Sequence, residues 1–435
     1  MSTGARAGEL RVMIVTDQYE PMVGGVPTVT RELARGLAER GHAVTVVAPS
    51  TGRRGRTDAA NPMTVTRRGS VRWPWYEGQR LGLLSASAAR ELIDGFAPDV
   101  VHIHSPLTLG LAARSAARRQ RVPVLYTNHY LSANVHPSAP DRPRSRATVV
   151  SSVTVVSGVT VVTGAIVDAA FDTAFYGCVT GFANRCDHVT APSMTALRLL
   201  RDHGLRAPSQ VVSNGVDLDA FSPGQSDEEL RRKYALPAGR PVIASVGRLS
   251  PEKHADVLID AAARLGSGSA GAGAVLVLAG TGPDEGRLKA LAARLGVAER
   301  VRFPGFVPGG DLPGLYRLAD VFAIASQAEL QSLVTMEAMA TGLPVVAVDA
   351  GALGELVHQG ENGFLISPGQ QAEEAAAVAD CLGLLCGDPA LRGRMSKASL
   401  RIIGNHDRHR VLARWESIYR ALAGRGTAEE MNRQR

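Results

Sequence analysis

The chain has 435 residues, of which 45% are hydrophobic and 20% charged, a composition that excludes disordered and fibrous proteins. A single core rarely extends over this length, so two domains of roughly 200 residues each are expected. The net charge of +7 lies in the N-terminal half and favours an anionic partner such as a membrane surface, whereas no nucleic-acid-binding module accompanies it, so nucleic acid is not expected as a partner.

The N-terminal sequence and the cysteines indicate a cytoplasmic protein. No apolar signal core precedes the first predicted strand, which argues against secretion. The 4 cysteines fit neither a CxxC pair nor the spacing of zinc ligands, so reduced thiols are expected. If the positive half contacts lipid, the protein is peripheral to the inner face of the membrane.

The first predicted unit is a strand, a helix and a second strand. The apolar run LRVMIVTD (10–17) ends in polar residues, as buried parallel strands do. The glycine loop PMVGGVPT follows it, and apolar residues then recur at helical spacing as far as Leu37. Gly41 ends this helix, and AVTVVAP starts the next strand.

Strands and helices continue to alternate along the chain. Further strands are predicted near residues 100 and 125, and the alternation restarts at PVIASVGRL. This pattern predicts an α/β fold with two Rossmann-like, doubly wound parallel-sheet domains facing across a cleft. The turn-rich segment SNGVDLDAFSPGQSDEE separates a domain at 1–215 from one at 216–404, and an amphipathic C-terminal helix at 405–425 completes the first domain.

One uncharged segment has two interpretations. Residues 147–167 carry no charge and have about the length of a membrane span. Nine of them are Ser, Thr or Gly, and many others are β-branched valines, so insertion would be weak. A buried segment of the first domain is the main interpretation, and a face that meets lipid or an apolar acceptor is the alternative.

A pair of glycines follows the first strand. Ligands of open parallel sheets bind beyond the carboxyl ends of strands, where helix N-termini present unpaired N–H groups. Gly24 and Gly25 lack a Cβ and let the backbone approach a phosphate or a sugar there. Their spacing is not the GxGxxG of a dinucleotide fingerprint, which disfavours an NAD-dependent dehydrogenase.

Two cations follow the first strand of the second domain. The segment VGRLSPEKH brings Arg248 and Lys253 to one strand end. A planar guanidinium and an ammonium point charge suit a diphosphate whose oxygens become more negative as its bond to a sugar breaks. The sequence therefore predicts a diphosphate site at this edge.

Two carboxylates lie in the apolar segment SQAELQSLVTMEAMATGLPVV. Glu329 is predicted in the turn after the strand DVFAIAS, where it can accept hydrogen bonds from sugar hydroxyls. A helix begins near Gln331, Ser332 and Leu333, and its first N–H groups point towards a phosphate. Glu337, in the second turn of this helix, can face a ribose diol.

These motifs together resemble glycosyltransferase family 4, the retaining GT-B enzymes that use nucleotide-diphospho sugars. The resemblance extends over nearly the whole chain, through GGVPTVTRELARGLAERGHAVTVVAP, DVVHIHSP, SNGVDLDAFSP, SVGRLSPEKHADVLIDAAARL, LAGTGPDEGRL, VRFPGFVP and AELQSLVTMEAMATGLPVVAVDAGALGELVHQGENGFLISPG. It implies transfer of a hexose from UDP-glucose or a similar donor to a hydroxyl of a lipid or small molecule.

The resemblance also implies residue roles. Arg248 and Lys253 hold the donor diphosphate, Glu329 orients the donor sugar, and Glu337 binds the ribose. His129, in TNHY, matches the family histidine near the reacting sugar. The implied catalytic residues are His129, Glu329, Arg248 and Lys253; Gly25, Gln331, Ser332, Leu333 and Glu337 join the donor site; and Gly24, His104 and Asn128 are expected on the acceptor side.

The sequence departs from the family at ELQSLV, where many members have glycines after the first glutamate. This variant is similar to diacylglycerol glucosyltransferase-like bacterial members, and it leaves the donor sugar open. In the mechanism that the family implies, the leaving diphosphate takes the acceptor's proton on the same face. No protein nucleophile is then required.

Two other functions on the same fold stay open: a nucleotide-sugar epimerase and a non-catalytic nucleotide-sugar binder. The presence of both Glu329 and His129 argues against the binder. No cofactor besides the nucleotide-sugar co-substrate is expected. No metal is expected either, because Asp217 and Asp219, although spaced as Asp-x-Asp, lie in a turn where Asp has conformational roles.

Overall fold

The computed structural model describes residues 8–60, 62–73, 79–132, 154–156, 159–161, 164–265, 271 and 273–433. They form two compact units. The first takes the described residues of Met1–Pro137, Ser151–Asn214 and His409–Arg435, and the second takes those of Gly215–Arg408. Each unit has its own sheet and its own buried apolar core.

The strands of the first unit are β1 (Arg11–Val15), β2 (Ala43–Pro49), β3 (Arg56–Ala60), β4 (Met63–Arg68), β5 (Ser70–Arg72), β6 (Arg80–Gly82), β7 (Val100–Ile103), β8 (Val124–Thr127), β9 (Thr154–Val156), β10 (Val159–Val161), β11 (His188–Ala191) and β12 (Ser209–Val211). Its helices before the second unit are α1 (Gly25–Glu39), α2 (Ala86–Phe96), α3 (Thr108–Arg119), α4 (Gly164–Ala183) and α5 (Met194–Asp202).

The main sheet of the first unit has the order β12-β11-β8-β7-β1-β2-β4-β3. Its pairs are parallel except the last, in which β3 runs antiparallel to β4. The predicted parallel sheet is confirmed, with one antiparallel strand added at this edge. The two strands are separated by only two residues, a connection that antiparallel strands allow and parallel strands do not.

The second unit contains strands β13 (Val242–Val246), β14 (Val275–Ala279), β15 (Val301–Gly305), β16 (Val321–Ile324), β17 (Val345–Val348) and β18 (Gly363–Ile366). Its helices are α6 (Glu228–Lys233), α7 (Ala255–Arg264), α8 (Glu285–Arg294), α9 (Leu312–Arg317), α10 (Leu333–Ala340), α11 (Gln371–Gly387) and α12 (Pro389–Ile403). All pairs in its sheet are parallel.

The strand order of the second unit places its candidate site. The order is β15-β14-β13-β16-β17-β18, so the chain moves outwards from β13 in one direction and then returns to its other side. Ligands of doubly wound sheets bind at such a reversal, beyond the carboxyl ends of the two central strands. The central strands β13 and β16 are largely or wholly buried, as parallel strands with helices on both faces are.

The C-terminal helix α13 (Arg408–Arg433) returns to the first unit. Its apolar side chains pack into the core that also contains residues of β1, β2 and α1. These side chains are Val411, Leu412, Trp415, Ile418, Tyr419 and Leu422. The helix thus completes a core whose other members precede it by several hundred residues.

Residues 147–167 lie only partly among the described residues. β9 and β10 pair antiparallel, and α4 begins at Gly164. The side chains of this segment lie outside the described residues, so its burial or contact with lipid stays a prediction. Within the part of the chain that the structure describes, no helix is both long and apolar enough to cross a membrane.

Candidate active site

A lysine and a carboxylate meet at the carboxyl edge of the second unit's sheet. Lys253 ends a turn of 3-10 helix after β13, and Glu329 lies in the loop after β16. Because β13 and β16 are neighbours, the Lys253 Nζ donates to the Glu329 Oε1 at 2.6 Å. The two side chains are 27% and 11% exposed, so water screens this pair only in part.

Arg248 emerges from the same loop as Lys253. Its Nη2 donates to the Glu252 Oε1 at 2.8 Å, and the Ser250 hydroxyl donates to the same oxygen at 2.6 Å. Glu252 therefore holds the guanidinium at the end of β13. Glu252 was not predicted from the sequence, although an acid four residues after an arginine is a signal that indicates such a pair.

Two loops pack backbone against backbone beside Arg248. A Cβ added to Gly280 would lie 1.8 Å from the Gly247 carbonyl oxygen, and the φ of Gly280 is +144°. The Leu249 N–H donates to the Thr281 carbonyl at 2.9 Å. The loops after β13 and β14 thus continue the pairing of their strands, and this close approach requires glycine.

The backbone of Glu329 is held from the loop after β17. The Ala352 N–H donates to the Glu329 carbonyl at 2.9 Å. Gly351 has a φ of +57°, and a Cβ there would lie 2.3 Å from the same carbonyl oxygen. The carboxylate of Glu329 therefore projects from a loop whose backbone is held at the Glu329 carbonyl.

The N-terminus of α10 follows directly. Ser332 caps the helix, and its hydroxyl oxygen accepts hydrogen bonds from the Thr335 N–H at 3.4 Å and the Thr335 hydroxyl at 2.9 Å. The first turn carries no acidic side chain, so its positive end is not neutralised locally. Gln331 and Leu333 flank the cap, and their contacts with a donor stay predictions.

Glu337 lies in the second turn of α10, and its Oε2 accepts a hydrogen bond from the Tyr316 hydroxyl at 3.0 Å. Burial raises the pKa of Glu337 from 4.5 to about 7, whereas the bond from Tyr316 lowers it. Near neutral pH the carboxyl is therefore divided between its protonated and ionised forms. The ionised form is the better acceptor for a diol.

In the first unit, the two glycines begin α1. Gly24 is the N-cap and Gly25 the first helical residue, and both are exposed. The φ of Gly24 is 162°, an extended conformation, and a Cβ there would meet only the Pro27 Cδ at 3.7 Å. The fold itself does not require glycine at position 24. The predicted approach of a ligand is compatible with this geometry and stays a prediction.

Two histidines follow neighbouring strands of the first unit. His104 comes after β7 and His129 after β8, and the His104 Nδ1 lies 2.9 Å from the His129 Nε2. His104 is fully buried, and His129 is partly exposed. Burial lowers the pKa of His104 well below 6.5 and that of His129 to about 4, so both rings are neutral at pH 7.

Asn128 is buried, and its N–H donates to the Thr190 carbonyl of β11 at 2.9 Å, whereas its side chain bonds to Tyr126 and Tyr130. Its Oδ1 accepts from the Tyr126 hydroxyl at 2.9 Å and the Tyr130 N–H at 3.3 Å, and its Nδ2 donates to the Tyr130 carbonyl at 3.2 Å. The amide shapes the turn that presents His129. A contact between Asn128 and an acceptor stays a prediction.

The structure adds a buried acid that the sequence analysis did not name. Asp17 follows β1, and its Oδ1 accepts from the Gly82 N–H at 3.0 Å and the Thr108 hydroxyl at 3.2 Å. Burial raises the pKa of Asp17 from 3.8 to about 7. These bonds join the segment after β1 to β6 and α3.

The first aspartate of the Asp-x-Asp segment, Asp217, forms hydrogen bonds that stabilise the turn in which it lies. The Asp217 Oδ1 accepts from the N–H groups of Asp219 and Ala220, both at 3.1 Å, and its Oδ2 pairs with Arg408 at 2.8 Å. No group of three or more His, Cys, Asp or Glu side chains that could hold a metal ion occurs among the described residues.

The sequence matches two family models and is similar to several named proteins. Residues 23–220 match the model described as "Glycosyltransferase Family 4", and residues 226–401 match "Glycosyl transferases group 1". The GDP-mannose-dependent alpha-mannosyltransferase of Mycobacterium tuberculosis is 32% identical over 364 residues, which cover 83% of this chain and 85% of that protein. The alpha-monoglucosyldiacylglycerol synthase of Streptococcus pneumoniae is 27% identical over 343 residues, 78% of this chain and 71% of that protein.

The fold is also found in solved structures. Anabaena HepE in complex with UDP-glucose superposes with a TM-score of 0.70 at 22% sequence identity. The alignment covers 94% of this chain and 99% of that one. At this identity the likeness concerns the fold, and it includes both units.

Proposed function

Because this chain belongs to the glycosyltransferases of GT-B fold that combine a Family 4 and a group 1 region, we propose that it moves a hexose from a nucleotide-diphospho sugar to an acceptor hydroxyl with retention of configuration. The observation that carries the proposal is the Lys253–Glu329 pair, with Arg248 beside it at the strand reversal of the second unit. The two cations can bind a diphosphate, and the carboxylate can accept hydrogen bonds from the hydroxyls of a hexose.

The cations support departure of the diphosphate. As the bond between the sugar C1 and the phosphate oxygen breaks, negative charge grows on that oxygen, and preorganised donors stabilise it. Lys253 has three N–H donors, so it can keep its bond to Glu329 and still reach a phosphate oxygen. Glu329 then accepts hydrogen bonds from hydroxyls of the hexose and so orients the sugar.

The remaining steps need no protein nucleophile. The acceptor oxygen bonds to C1 on the face that the diphosphate leaves, and its proton passes to an oxygen of the departing diphosphate. The configuration at C1 is retained because attack and departure share one face. The Glu337 carboxyl serves the ribose, so it takes no part in these bond changes.

The donor and the acceptor are narrower proposals. The mycobacterial relative is named as GDP-mannose-dependent, which makes GDP-mannose a donor to test beside the UDP-glucose expected from the sequence. The streptococcal relative is named as a monoglucosyldiacylglycerol synthase, which supports a lipid acceptor. Other relatives are named as D-inositol 3-phosphate glycosyltransferases, which supports a small-molecule acceptor. A peripheral contact with an anionic membrane from the cytoplasm agrees with the positive N-terminal half.

A donor panel tests the function. The purified protein is incubated with GDP-mannose, UDP-glucose and other nucleotide sugars, with diacylglycerol vesicles or soluble alcohols as acceptors, with and without a chelator. We expect nucleoside diphosphate release, a glycoside with the donor's anomeric configuration by NMR, and the same rate with chelator. A changed but free nucleotide sugar would indicate an epimerase, and binding without turnover a non-catalytic binder.

A matched pair of lysine variants tests the site. Lys253→Ala should lower kcat by about a hundredfold or more, because it removes a donor to the developing charge. Lys289→Ala is the control, since Lys289 also pairs with a glutamate, at 2.7 Å, but on the surface of α8. Equal turnover of the two variants would contradict the assignment.

A further inference from the structure

The two histidines of the first unit share one hydrogen bond in a defined direction. The planes of His104 and His129 differ by 8°, and their centroids are 5.1 Å apart. This separation is almost the largest that a 2.9 Å contact between the His104 Nδ1 and the His129 Nε2 allows. The rings are therefore joined edge to edge, and the shared hydrogen lies in the plane of both.

The other nitrogen of His104 decides which ring donates. The His104 Nε2 is buried and has no hydrogen-bond partner among the described residues. A buried N–H without an acceptor is rarer, and costs more, than a buried lone pair without a donor. The proton of neutral His104 therefore lies on Nδ1, and this N–H donates to the His129 Nε2.

The same bond fixes the proton of His129. Its Nε2 is an acceptor, so the proton of the neutral ring must be on Nδ1. No described residue accepts from this nitrogen, and His129 is the partly exposed member of the pair. The face that His129 offers to a ligand is thus an N–H, and a lone pair is not available there.

We propose that His104 is a positioning residue that holds His129 as the Nδ1–H tautomer, so that His129 donates a hydrogen bond to a substrate oxygen and does not act as a base. This inference rests on the proposed function only where it concerns the substrate. With Nδ1 already protonated, His129 has no site for the acceptor's proton. That proton then passes to the diphosphate, as in the proposed mechanism.

Nitrogen NMR of the histidine rings tests the tautomer without any substrate. In protein labelled with 15N-histidine, the His129 signals, identified by their loss in His129→Ala, should show a protonated Nδ1 and an unprotonated Nε2. His104→Asn keeps a donor near the Nδ1 position and should preserve this pattern. His104→Asp supplies an acceptor and should move the proton to the His129 Nε2. A protonated Nε2 in the unaltered protein would overturn the proposal.

Kinetics test the consequence, with His102 as the control. His102 is equally buried two residues away, but its nitrogens contact the Tyr419 hydroxyl and the Thr127 hydroxyl. His104→Asp should lower kcat by about a hundredfold, as the loss of an oriented donor does, and His104→Asn should restore most of it. His102→Asn should lower the melting temperature and leave the tautomer of His129 unchanged.

The NMR and kinetic experiments distinguish a failure of the positioning role from a failure of the proposed function. A His104→Asp enzyme with a moved proton and an unchanged kcat would overturn the positioning role. If the unaltered protein transfers no sugar, the proposed function fails, and the NMR result still decides the tautomer.

Discussion

At the scale of single residues, the fold disfavours the ionised form of the Glu337 carboxyl. Burial moves its pKa from 4.5 to about 7 against the opposing bond from Tyr316. Between these two pH values the unfolded chain ionises this group and the folded chain does not. Stability therefore falls as the pH rises through this window, by at most about 1.4 kcal/mol per pH unit.

Glu337→Gln should remove this pH dependence. The difference in unfolding free energy between the variant and the unaltered protein should grow by roughly 2 to 3 kcal/mol as the pH rises from 4.5 to 7, and it should stay constant above pH 7. Urea unfolding at pH 5, 6, 7 and 8 measures the difference. Tyr316→Phe should extend the window upwards, because it removes the bond that lowers the pKa; parallel curves for Glu337→Gln and the unaltered protein would count against the shifted pKa.

At the scale of elements, the loops of the candidate site in the second unit pack together through glycine contacts. The loop after β14 approaches the Gly247 carbonyl so closely that no side chain fits at Gly280. The sequence contained both loops in its family motifs, but it did not indicate that they touch. Contact between residues 33 positions apart depends on the adjacency of β13 and β14, which the pattern of a single strand does not encode.

Gly280→Ala should therefore disturb the donor site through the backbone. The clash and the positive φ should cost about 1 to 3 kcal/mol of stability and displace the loop that carries Arg248, so KM for the donor should rise. Gly286→Ala, on α8, is the matched control because a Cβ there meets nothing within 4 Å. If both variants show the same donor KM, the loop contact does not position Arg248.

At the scale of the whole molecule, the chain enters the second unit at Gly215 and leaves it at Arg408. The last helix then supplies the core of the first unit with side chains such as Trp415 and Tyr419. Burial of each large apolar side chain contributes roughly 1.5 to 3 kcal/mol. The sum for α13 is comparable to the total stability of a domain, about 5 to 15 kcal/mol.

A chain that ends at Arg408 should lose the first unit and keep the second. Hydrogen exchange should become fast in β1, β2 and α1, which face α13, and should remain slow in β13 to β17. The chain with the single change Trp415→Ala should show the same pattern to a smaller degree. Uniform loss of protection across both units would show that α13 stabilises the molecule in another way.

Apolar periodicity and turn residues are local signals, so the sequence by itself determined the α/β class and the elements that carry Arg248, Lys253, Glu329 and Glu337. The resemblance of its motifs indicated the family. Only the tertiary structure decided which of these residues meet. Lys253 and Glu329 pair because β13 and β16 are adjacent, and His104 bonds His129 because β7 and β8 are. The partner of each strand is chosen by packing and chain reversal over long separations, and the spacing of residues along one strand does not contain that choice.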